Sequence, residues 1–154
     1  MPNNSPFIIP GGANLVPTYD VGTWIPNIAF AGGNGDLVKA FSTQTGNFIR
    51  IGTMCLCAFQ LNTSTWTWTT AAGALRITGL PFIRNSPSGY PGLLVFQGLT
   101  KAGYTEFVTS TSNGNSFFTI GASGSGVVTT SVQAADLPSG TPQILLGTVL
   151  LPLE

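Results

Sequence analysis

Three blocks, GTWIPNIAFAGG (residues 22–33), FSTQTGNFIRIGTMCLCAFQLNTSTWTW (41–68) and ALRITGLPF (74–82), decide how this chain folds. The first reads as a short amphipathic strand ending in Gly32-Gly33. The second reads as a Thr45-Gly46-Asn47 turn followed by a long apolar strand, and the third as a further strand stopped by Gly79 and Pro81. Strands rich in Val, Ile, Thr, Phe and Trp, punctuated by Gly, Asn and Pro, are how an antiparallel sheet is written.

The same punctuation runs outward from these blocks. Turn signals recur at Gly32-Gly33-Asn34-Gly35, Ala72-Gly73, Ser86-Pro87-Ser88-Gly89, Lys101-Ala102-Gly103, Ser112-Asn113-Gly114-Asn115, 121–126 and Pro138-Ser139-Gly140. A helical period does not persist for two turns anywhere, and a short turn at Gln133 to Leu137 is the one helical candidate. The expected fold is all-β: an antiparallel β-sandwich or jelly roll over residues 22–154, preceded by an extended arm over 1–21. In the arm, Pro2, Pro6, Pro10 and Pro17 prevent regular pairing, while Phe7, Ile8, Ile9 and Leu15 supply apolar anchors.

Alternation along the strands predicts a partner. From Ile49 to Leu61 one face reads Ile49, Ile51, Thr53, Cys55, Cys57, Phe59 and Leu61, yet the other offers Met54, Leu56 and Ala58. The segments 93–99 and 144–151 are likewise apolar on both faces, where a strand solvated on one side would be polar there. Only five basic and five acidic residues accompany 43% hydrophobic residues in a chain of 154. A surface so poor in charge is poorly soluble when left bare. Strands apolar on both faces mean either a sheet sandwiched in its own domain or one face packed on another subunit, and three of them in a small, charge-poor domain favour subunit contact, since an obligate interface resembles a core cut in half.

Composition also narrows the function. A net charge of zero without a basic cluster leaves nothing to drive counterion release, which disfavours nucleic acid as a partner. The apolar run at 144–153 is far shorter than the roughly 18 residues of a membrane span, and the N-terminus lacks a basic, then apolar, leader. No histidine is present, so Ser-His-Asp and Cys-His arrangements are ruled out, and Asp20, Asp36, Glu106 and Asp136 lie scattered. No enzymatic activity, cofactor or metal is expected. Cys55 and Cys57, two apart on one strand, read as small buried hydrophobes rather than a disulfide or a zinc site. The run at 121–126 lacks the lysine of a phosphate loop and reads as a flexible connection. Gly32 to Asp36 reads as a hairpin turn, with at most a weak calcium ligand in Asp36.

Trp66 and Trp68 project from one face of a strand whose other face is threonine. Such a ridge can stack on sugar or pack between subunits, and packing is the expectation because large aromatics dominate interfaces. Tyr90, in a proline-flanked loop, is the next candidate for an exposed contact.

The motifs GTW.P...F.GG, STQTG.F.RIG and ITGLPF, at these separations, resemble a module of tailed-bacteriophage virion proteins found in small head proteins and at fibre tips, over roughly residues 22 to 152. The resemblance implies a virion protein made in the host cytoplasm. Its leading form is a homotrimeric cement or decoration protein on the outer capsid surface, held on the major capsid protein by the arm. The alternative is a receptor-binding fibre tip that recognises a host glycan through loops or the aromatic ridge. The short run ahead of the first motif strand suits a tether to a flat surface.

Overall fold

A computed structural model of the chain describes residues 19–83, 90–112 and 114–153. Ten strands follow one another: β1 (Tyr19–Trp24), β2 (Asn27–Phe30), β3 (Val38–Ile51), β4 (Met54–Thr67), β5 (Leu75–Thr78), β6 (Gly92–Gln97), β7 (Glu106–Thr111), β8 (Phe117–Ser123), β9 (Thr130–Ser131) and β10 (Ile144–Pro152). All pairings are antiparallel. The short turn expected near Gln133 is a single 3-10 helix, Ala134–Asp136. None of the described helices is long and apolar enough to cross a membrane.

The strands form a continuous path, β1-β3-β4-β10-β6-β7-β8-β5-β2, with β9 beside β8. β6 pairs with β10 along one stretch and with β7 at Gly92 and Leu93, so it carries the chain from one layer to the other. The first layer is β1, β3, β4, β10 and β6. The second is β7, β8, β5 and β2, with β9. Aromatic pairs tie them together: Phe59 of β4, itself 6.4 Å from Trp24 of β1 in the same layer, lies 5.2 Å from Phe118 of β8 across the core. Phe30 of β2 meets Trp66 of β4 edge-on at 6.1 Å. Cys55, Cys57, Leu61, Leu145, Val149 and Leu151 of the first layer, and Ile28, Leu75, Ile77 and Ile120 of the second, complete a dry core. Each such side chain contributes about 1.5–3 kcal/mol when removed from water.

The turn expected at Thr45-Gly46-Asn47 is instead the middle of β3, paired with β1 and β4. Gly46 is there for close approach: a Cβ on it would lie 2.6 Å from the Trp24 indole. The single strand read from Ile49 to Leu61 is a hairpin, with Ile51 opposite Met54 and a turn at Gly52-Thr53. Gly52 takes a positive φ of 58°, which a two-residue hairpin favours at its first turn position. Within β3 and β4 the alternation holds. Cys55, Cys57, Phe59 and Leu61 face the core, while Ile49, Ile51, Met54 and Leu56 face outward.

Two boundaries move as well. Tyr19 to Val21, assigned to the arm, belong to β1 and pair with Ile51, Arg50 and Ile49. Gly121 and Ala122, assigned to a flexible connection, are buried in β8, where small side chains fit between β7 and β9. The expected anchors Pro2, Pro6, Phe7, Ile8, Ile9, Pro10 and Leu15 lie outside the described residues.

Candidate functional site

The outward face of the first layer is uncharged, and its apolar side chains concentrate in two of four rows. The register aligns Val21, Ile49, Leu56 and Leu150 in one row. Tyr19, Ile51 and Met54 form the row on one side. Thr23, Asn47, Ala58 and Thr148 form the next, and Thr45, Gln60, Leu146 and Val95 the last. No charged side chain stands in these four rows. At the β6 end, Leu93 is 80% and Val95 67% exposed.

Antiparallel sheets with one free face alternate apolar inside and polar outside, and this sheet breaks the rule in the rows of Val21 and Tyr19. Strands spaced about 4.8 Å apart and rising about 3.4 Å per residue give the outward positions in these rows a projected area of roughly 500 Å². Corrugation by side chains makes the accessible area larger, close to the ~800 Å² that each partner contributes to a stable interface. Monomers rarely expose continuous apolar patches beyond a few hundred Å². Chemically, the face can bury itself against another uncharged surface and do little else.

The two tryptophans lie elsewhere. Trp66 is 2% exposed; its ring is enclosed by Phe30 and the core of its own chain, so it offers neither a sugar platform nor a subunit contact. The physical reason is a shared acceptor. The indole N–H of Trp66 donates to the Leu137 carbonyl at 3.3 Å and that of Trp68 to the same oxygen at 3.0 Å. Both rings do lean to one side of the strand, but that side is covered by the 137–140 segment, which Gly140 N–H also ties to the Trp66 carbonyl at 2.7 Å. Trp68 is half-buried against the core, and Tyr90 is exposed at 44%.

No family model matches the chain, and no curated protein does. Among solved structures, the chain is similar to the crystal structure of the Dettilon tailspike protein, with a TM-score of 0.67 and 19% identity. The match covers 88% of this chain and 24% of that one, so the chain spans about a quarter of the tailspike's length. A likeness at this identity establishes a shared fold.

The ionisable groups serve the architecture. Asp36, in the loop between β2 and β3, accepts from the Thr69 and Thr70 backbone N–H groups at 2.8 and 2.7 Å and from both their hydroxyls at 2.6 and 2.9 Å. These bonds, the Thr69 hydroxyl first, hold its carboxyl well below the usual carboxylate range. A carboxylate so occupied is a strap between two loops, and sequence inspection missed it because its partners lie more than thirty positions away. A group whose folded pKa is depressed contributes stability above its unfolded pKa and loses it as pH falls through the folded value. Asp36→Asn is therefore expected to lower stability at neutral pH and to flatten the acid limb below about pH 4, measured by denaturant midpoints across pH. An unchanged acid limb would remove Asp36 from this role.

Asp136 pairs with Lys101 at 2.7 Å and accepts the Gln133 N–H at 2.8 Å, so it closes the 3-10 turn. Glu106 accepts from the Ser123 hydroxyl at 3.2 Å. Among the described residues no three His, Cys, Asp or Glu side chains gather to hold a metal. Cys55 and Cys57 are free and buried, with sulfurs 3.7 Å apart. Burial pushes both thiols up, out of the thiolate range. Neither thiol is expected to react with an aromatic disulfide reagent until the chain unfolds, when two equivalents per chain should appear.

Proposed function

We propose that this chain is a structural virion protein of a tailed bacteriophage and forms a self-assembling module of its host-attachment apparatus. The observation that carries the reading is the likeness, over most of this chain, to part of a tailspike. The uncharged outer sheet supports the assembly half of it, because a face of this size and chemistry is covered most simply by further copies of the same chain. A homotrimer is the state we propose, each copy placing the rows of Val21, Ile49, Leu56 and Leu150 against its neighbours. We propose no enzymatic role: Asp36 straps two loops and Asp136 closes the 3-10 turn.

The capsid-cement reading rests on the arm, whose anchors lie outside the described residues, whereas the likeness to part of a tailspike supports attachment, the reading we favour. Immunogold labelling of intact virions with antibody to this chain is expected to mark the tail, and the same antibody to block adsorption. Label on the head shell with unimpaired adsorption would overturn the attachment reading and restore cement.

A further inference from the structure

The outward face of the second layer holds a cation with nothing to bind. Lys39 donates to the Ile28 carbonyl, Arg50 to the Gly52 carbonyl at 3.0 Å, and Lys101 to Asp136. Arg76 of β5 makes no hydrogen bond among the described residues, although its Nε is enclosed. Its guanidinium carbon sits 4.3 Å from the centre of the Phe117 ring. A guanidinium resting against an aromatic ring is held in place, and its terminal nitrogens form the fork that suits a planar, two-oxygen acceptor.

Beside it is a cleft. Arg76 stands opposite Thr119 of β8, and Thr119 stands opposite Ser110 of β7. Thr119 and Ser110 line a cleft of about 250 Å³ together with Val108, Gly121, Thr130 and Ser131. Its volume is well above the ~10–15 Å³ that a single water needs, a scale that suits a sugar ring. The lining carries hydroxyls and no charge, and Gly121 leaves its floor open. Phe117 and Thr119 are alternate residues of β8, so the guanidinium lies about 7 Å along the strand from the cleft, close to the step from one sugar to the next.

We propose that this face binds an acidic oligosaccharide of the hexuronate class: one ring occupies the hydroxyl cleft, and the carboxylate of the adjoining ring pairs with the Arg76 guanidinium. A single cation amid neutral hydroxyls matches one carboxylate, whereas a phosphate would call for several donors. The proposal rests on the attachment reading for its biological sense, but the chemistry is testable without it.

The test uses the full chain, a glucuronate-containing tetrasaccharide derived from hyaluronan, and the same tetrasaccharide with its carboxyls reduced to alcohols, titrated by ligand-observed NMR. The acidic form is expected to bind about tenfold or more tighter than the reduced form. Arg76→Gln should erase that difference, with folding checked by circular dichroism, and Arg76→Lys should restore it in part. Ser110→Ala with Ser131→Ala should weaken both ligands alike. Equal binding of the two forms, an acid preference that survives Arg76→Gln, or no binding at millimolar concentration would overturn the site. Immunogold labelling of virions keeps the two readings apart: label on the tail with a chain that ignores the tetrasaccharide sinks the site alone, and label on the head with acid-selective binding sinks the attachment reading alone.

Discussion

Trp66→Ala is expected to lower the folding stability of the single chain by about 3–5 kcal/mol. The ring fills the space between β4 and Phe30 of the opposite layer, and its N–H holds the Leu137 carbonyl. Truncation leaves a cavity and a buried carbonyl that keeps only the Trp68 bond. The loss is best read in a variant that does not assemble, so that folding and association are not summed. Trp68→Ala should cost clearly less, because that side chain is only half-buried. Denaturant midpoints on the two variants check the order, and a mild Trp66→Ala beside a severe Trp68→Ala would contradict the packing described.

The non-assembling background follows from the second prediction. Ile49 and Leu56 face each other across β3 and β4 in the centre of the uncharged face. Replacing both with lysine places two charges where a partner would have to desolvate them, at a cost of several kcal/mol per ion, while their exposure leaves the core untouched. The doubly substituted chain is expected to be folded and monomeric. Thr23→Lys, at the margin of the same rows, should weaken association far less. If the double variant keeps the mass of the unmodified chain, this face is not the contact.

The all-β character and the strand segments of this chain were legible in its sequence, because strand residues and turn residues alternate at short intervals. Part of the uncharged outer face was legible too: Met54 and Leu56 stood out as apolar on the side that should be wet, whereas Ile49 and Ile51, read on the face of Cys55 and Cys57, join them because the chain turns at Gly52-Thr53. What misled was local turn chemistry. Thr45-Gly46-Asn47 carries the composition of a hairpin, but Gly46 is dictated by the Trp24 ring, a neighbour 22 positions away in the chain. The real turn, at Gly52, has a single glycine and no asparagine. Trp66 and Trp68 looked surface-bound because their strand alternates with threonine. Their burial depends on the 137–140 segment crossing over them, which no local pattern announces. Arg76 on Phe117, and Asp36 between Thr69 and Thr70, likewise exist only once distant strands are brought into register.

The central claim is that the bare sheet face is covered by copies of the same chain. Multi-angle light scattering of the unmodified chain at micromolar concentration tests it most directly. A mass three times the 16.0 kDa of the chain is the predicted result; a stable, well-behaved monomer would contradict it.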